Sequence, residues 1–221
     1  METNFDKAFK VVIGIEGGYV NNQYDRGGET KYGISKRAYP NLDIKNLTLE
    51  DAKRVYYRDY WIASGIEYID DYKIQLELFD TAVNMGTYKA KTILQEALNL
   101  LNRNERNFKD LIVDGQIGRI TISAYNKVNK EILLKVLNGL QFMNYVRIVE
   151  NDKSQEIFMN GWMRRVYLKP LYMLYKEQQQ QEDFIGISTL AYDELLNKII
   201  IIDAEKDSKF VGFWKHWTKW F

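Results

Sequence analysis

Helical periodicity runs through most of this chain and gives way most clearly between Tyr19 and Ser35. Apolar residues recur three and four apart through Phe5, Phe9, Val12 and Ile13. That spacing predicts a helix over 4–16, with Gly17-Gly18 as its stop. The stretch that follows is built from Asn, Gly, Tyr and Thr, holds Gly27-Gly28, and reads as a short irregular β-hairpin or ordered loop. Periodicity returns at Thr48, where Thr48-Leu49-Glu50-Asp51 has the form of a capping box opening a helix to about residue 64. Helices are predicted over 73–85 and 88–102, split by Gly86 and Thr87, then near 120–128 and over 130–151. Another starts around residue 154. Residues 164–181 read as a helix disturbed at Pro170, and 188–203 as one capped by Ser188. The fold class is therefore mainly α, with a small β-hairpin or loop after the first helix.

A polar loop over 103–110 and a turn with two glycines, Val113 to Gly118, place a soft boundary around 100–113. A second falls near 182–188. The regions are 1–100, 101–182 (packed into the same body) and 183–221.

The residue inventory narrows the chemistry. The chain has no Cys and one His, His216. Thiolate nucleophiles, His-based triads and zinc sites are thereby set aside, and no metal or organic cofactor is expected. Acid–base work falls to carboxylates, Tyr or Lys. A net charge of +1 offers no field for a nucleic-acid partner. Sixteen Tyr suit sugar recognition, because a ring can lie on a pyranose while its hydroxyl hydrogen-bonds; most of them serve equally as half-buried helix residues. The N-terminus carries acids where a signal peptide is basic, and no apolar run spans a membrane. The expectation is synthesis in the cytoplasm without a signal peptide.

Glu16 follows Val12 by four residues and Phe9 by seven, so a helix reaching it would carry it on the apolar stripe and in the last turn. Partial burial and the negative helix end would both raise its pKa, which is what a general acid for glycosidic cleavage needs. An exposed Glu at a frayed helix end is the plainer alternative. Asp25 enters the Gly27-Gly28 bend and offers a second carboxylate. Paired carboxyls about 5 Å apart give retention and about 6.5–9.5 Å apart inversion. Asp25 is also a natural Asx-turn residue. Thr30 is placed to orient a water, and Glu29 reads as a spare acid facing solvent.

Glu16-Gly17-Gly18-Tyr19-Val20-Asn21, followed by Asp25-x-Gly27-Gly28-x-Thr30-x-x-Gly33-Ile34, resembles the signature of glycoside hydrolase family 108, the N-acetylmuramidase and "secretion activator" group. Three further blocks resemble it in order: Phe79-Asp80-x-x-Val83-Asn84-x-Gly86, then Asp114-Gly115-x-Ile117-Gly118-x-x-Thr121, then Phe158-x-x-Gly161-Trp162-x-x-Arg165-Val166. The last two are similar to the helical peptidoglycan-binding module that accompanies these enzymes. The resemblance implies a lysozyme-like fold, Glu16 as catalytic acid, and Asp25 and Thr30 lining the cleft, with Tyr19, Tyr32, Asn84 and Trp162 toward the substrate. It implies a lysozyme-like catalytic region over 1–100, a peptidoglycan-binding module over 101–182, peptidoglycan strands as partner, and action on the wall after release or non-classical export. Gln23 and Arg26 depart from the family's usual Pro, and Glu29 from a small residue; these changes loosen the loop that carries Asp25.

Asp80 and Asn84 share a helix face that suits either the cleft or hydrogen bonds within the core. Trp162 with Arg164 and Arg165 suggests a sugar platform, a cation–π cluster, or a Trp packed between modules. The Asp114–Gly118 turn is most simply a structural bend. In the tail, Phe210, Phe213, Trp214, Trp217, Trp220 and Phe221 recur at helical spacing among Lys209, Lys215 and Lys219. That amphipathic pattern fits contact with a membrane surface or partner through Phe210, Trp214, Trp217 and Trp220, and it fits docking on the protein's own body equally.

Overall fold

In the computed structural model the described residues are 2–14, 18–21 and 28–166. Glu16, Asp25, the tail aromatics Phe210, Trp214, Trp217 and Trp220, the helix expected over 188–203, and all but the first three residues of the helix expected over 164–181 lie outside them. The chain divides into two compact units, Met1–Pro170 and Leu171–Phe221, and the first is described here.

The first helix, α1, runs over Asn4–Val12. Thr3 opens it with a capping box: its side chain accepts from the Asp6 amide while Asp6 Oδ2 accepts from the Thr3 amide. The helix ends earlier than its sequence pattern suggests. Ile13 caps it by donating to the Phe9 carbonyl at 2.9 Å, and Gly14 takes a left-handed φ of 79°. A glycine there closes the helix at no steric cost, so the stop is Gly14 and not Gly17-Gly18. α1 therefore closes before position 16, and Glu16 itself lies outside the described residues.

Three short strands follow, β1 (Val20–Asn21), β2 (Glu29–Lys31) and β3 (Ile34–Ser35), forming one antiparallel sheet with β2 in the middle. This is one strand more than the expected hairpin. The helical body resumes with α2 (Leu49–Tyr56), capped by Thr48 and Asp51 as the sequence suggests. It continues directly into a π-helical turn, Tyr57–Ile62. Then come α3 (Tyr72–Met85), α4 (Thr87–Leu100), α5 (Arg119–Tyr125) and α6 (Lys130–Asn151), and residues 156–166 are also helical.

The centre of this body is α3, buried continuously from Ile74 to Ala82 and packed against α1, α4 and α6. Burial on every side is the mark of a central helix. Its Phe79 meets Phe5 of α1 at 5.9 Å and Trp61 at 5.7 Å, both edge-on, and Phe9 meets Tyr56 at 5.6 Å. Edge-to-face pairs of this kind are each worth about 0.5–1.5 kcal/mol beyond burial. Polar ties complete the frame. Tyr125 donates to Asp70 at 2.6 Å, and Gln95 holds the Asp114–Gly118 turn by accepting from the Gly115 amide and donating to Asp114 Oδ1. That turn is thus the structural bend its sequence suggests.

Candidate functional site

The sheet gathers three of the expected site residues. Tyr19 leads into β1, Thr30 pairs with both Val20 and Ser35 at the middle of the sheet, and Tyr32 begins the β2–β3 turn. Only Tyr32 and Gly33 separate the paired residues Lys31 and Ile34, with φ of 51° and 75°. Two positive φ values define the tight turn that matches strand twist. Tyr56 locks it from the helical side by donating its hydroxyl to the Tyr32 carbonyl at 3.0 Å. Ile34, 2% exposed, anchors the sheet to the core.

Gly33 leaves the room that this lock needs, since a Cβ there would stand 2.6 Å from the Tyr56 hydroxyl. Gly33→Ala should therefore break the Tyr56 hydrogen bond and strain the turn, costing roughly 2 kcal/mol or more. Chemical denaturation is the measurement, and a loss under about 0.5 kcal/mol would show that the turn tolerates a side chain.

Around Thr30 the groups are polar. Its hydroxyl donates to the Gly28 carbonyl at a long 3.4 Å. The Tyr19 phenol titrates above its usual range because of desolvation, then the charge of Glu29 and a hydrogen bond with it. Glu29 is half-buried, so the reading of it as a spare acid facing solvent is corrected: it engages Tyr19 across the strand pair.

On the helical side the sequence reading missed a second cluster. Tyr39 donates to Asp59 Oδ2 at 3.0 Å, and Tyr60 lies 5.2 Å from Tyr56. Burial pushes the Tyr39 phenol far up, with Tyr60 and Asp59 adding to it, while Arg58 beside Asp59 holds that carboxyl below the usual carboxylate range. The signal was present in Tyr56-Tyr57-Arg58-Asp59-Tyr60-Trp61, but its clustering depends on the π-helical turn. Turns of that kind gather at functional sites.

Asn84 and Trp162 belong to other elements. Asn84 is exposed at the end of α3 and donates to the Asp80 carbonyl at 2.8 Å. Trp162 is half-buried, stacked on Tyr145 at 4.7 Å and 12°, with Phe158 at 6.0 Å. One of its faces is thus taken by protein, which is the packed-Trp reading. Arg165 turns to Asp80 at 2.9 Å, and not into a cation–π cluster. Asp80 is 1% exposed and also accepts from Gln141 at 3.2 Å, so it serves the core. Among the described residues no three His, Cys, Asp or Glu are grouped to hold a metal ion, and no helix is long and apolar enough to cross a membrane.

With this geometry in view, comparison with known proteins gives consistent results. The family model described as glycosyl hydrolase 108 matches residues 9–86, and one described as a predicted peptidoglycan domain matches residues 89–167. The structure of Brucella abortus SagA is similar, with a TM-score of 0.57 and 25% identity, covering 73% of this chain and 88% of that one. The mainly α, lysozyme-like architecture with its small sheet is in accord with that likeness. The chain is also 22% identical over 167 residues to the RNA-dependent RNA polymerase 1 of Arabidopsis thaliana, a match that covers 74% of this chain and spans 14% of the length of that protein. An identity this low over so small a part brings no activity to this chain.

Proposed function

This chain belongs to the glycosyl hydrolase 108 family, with a predicted peptidoglycan domain following the hydrolase region, and from that membership we propose that it is a muramidase. It cleaves the β-1,4 bond between N-acetylmuramic acid and N-acetylglucosamine. The observation that carries this reading is the family match over 9–86, a span that contains Glu16, Asp25, Thr30, Tyr19 and Tyr32. Glu16 protonates the leaving oxygen, and Asp25 with Thr30 positions a water or stabilises the oxocarbenium-like transition state. Tyr19 and Tyr32 offer rings and hydroxyls to the sugar, and Asn84 and Trp162 are proposed to extend the contact. Mass spectrometry of muropeptides after digestion tests the proposal, because new reducing ends on N-acetylmuramic acid identify both the cleavage and the bond.

The matched peptidoglycan domain also favours a second reading, wall binding without cleavage. It predicts retention on sacculi with no new reducing ends. The site of action proposed is the cell wall. The tail residues Phe210, Trp214, Trp217 and Trp220 are proposed to meet a membrane surface, as their alternation with lysines suits an interface. Removing residues 205–221 should abolish co-sedimentation with anionic vesicles, and unchanged co-sedimentation would refute the role.

A further inference from the structure

A cavity of about 380 Å³ opens between α2 and the loop that follows the sheet. Its floor is apolar: Leu47 and Val55 are 5% and 6% exposed. Its charged lining is Asp43, Asp51, Arg54 and Arg58. The two acids are already engaged. Asp43 accepts from the amide and the side chain of Asn46, at 3.2 and 2.9 Å, and Asp51 accepts from the Thr48 amide and hydroxyl and from Arg54.

The two arginines are engaged only in part. Arg54 uses one terminal nitrogen on Asp51, and Arg58 uses Nε and one terminal nitrogen on Asp59. A guanidinium carries five N–H donors in a fixed fork. Both side chains are largely exposed, at 72% and 70%. The recognition chemistry left to a ligand is therefore a pair of cationic forks above an apolar floor. That combination suits a carboxylate borne on a small apolar group, and it suits a neutral sugar poorly.

The cavity adjoins the candidate site. Lys31 of β2 donates to the Lys45 carbonyl at 3.1 Å, and Lys36, just after β3, donates to the Leu42 carbonyl at 2.7 Å, so the loop is tied to the sheet. Asp43 is close enough to act on the Tyr19 phenol. Resting on the muramidase reading, we infer that this cavity binds the carboxylate-bearing peptide attached to the glycan strand, through Arg54 and Arg58, while the sheet side meets the sugars. The enzyme then selects peptide-substituted glycan over bare glycan.

The test uses the full chain with two substrates, sacculi with peptides intact and the same glycan after amidase removal of the peptides and conversion of the freed lactyl carboxylates to methylamides. Wild type should cleave and retain the peptide-bearing form roughly tenfold better. Arg54→Gln should remove that preference while hydrolysis of stripped glycan stays at the wild-type rate. Arg54→Glu should invert the preference, and unchanged melting temperatures would confirm that both variants fold. Equal handling of the two substrates by wild type, or loss on both in the variants, would overturn the inference. If wild type cleaves neither substrate yet retains the peptide-bearing one, the muramidase reading fails and the peptide site stands.

Discussion

Replacing Glu16 with Gln should lower the rate of sacculus hydrolysis by roughly 10²–10⁴-fold, the contribution typical of a positioned general acid. That loss corresponds to about 3–5 kcal/mol of transition-state stabilisation. Gln has the size and hydrogen-bonding reach of Glu but holds no acidic proton, so the leaving oxygen would depart as an unassisted alkoxide. Binding to sacculi should survive. So should stability, because α1 is closed at Gly14 and anchored through Phe5, Ala8 and Phe9, all upstream of position 16. Muropeptide release by mass spectrometry and a thermal melt, run side by side, separate the two effects. Near-normal turnover in Glu16→Gln would remove Glu16 from the reaction. Loss of turnover together with a collapsed melt would assign the residue to folding.

Much of the fold could be read along the chain because its determinants are local. The helix expected over 130–151 is present as α6, with Asn129 accepting from the Ile132 amide at its start, and Gly86 separates α3 from α4 where the pattern is interrupted. Thr48 and Asp51 form the capping box their spacing suggests. The end of α1 was misread because Gly17-Gly18 is a stronger stop signal than the single Gly14 inside an apolar run. The β2–β3 turn was not legible either. Tyr32 carries φ of 51°, and the hydroxyl that steadies its carbonyl comes from Tyr56, 24 residues away. Tyr19, Thr30 and Tyr32 fall in or beside one small sheet because they sit in one sequence motif. Tyr39 and Asp59 were missed because their pairing needs the π-helical turn, which has no sequence code.

The second large effect concerns a pairing that no local pattern announces. Asp80 of α3 lies within the hydrolase region, while Gln141 of α6 and Arg165 belong to the peptidoglycan domain, and the three meet where Asp80 is almost fully buried. Arg165→Met should destabilise the protein by about 3–5 kcal/mol, since it removes the ion-pair partner of an almost fully buried carboxylate. For a body of this size that is a fall in Tm of roughly 6–20 °C. Asp80→Asn should cost less, about 1–2 kcal/mol, because Arg165 is 39% exposed and its charge can turn to water. The asymmetry is the informative part. If Arg165 acts through Asp80, then adding Asp80→Asn to Arg165→Met should recover part of the lost stability, since the double variant buries no lone charge. Additive losses in that cycle, or an Arg165→Met variant within about 1 kcal/mol of wild type, would show that the pair does not join the two regions. Because α3 of the hydrolase region also packs directly on α4 and α6 of the peptidoglycan domain, residues 2–166 should unfold in a single cooperative transition both in the wild type and in Arg165→Met, at a lower temperature in the variant.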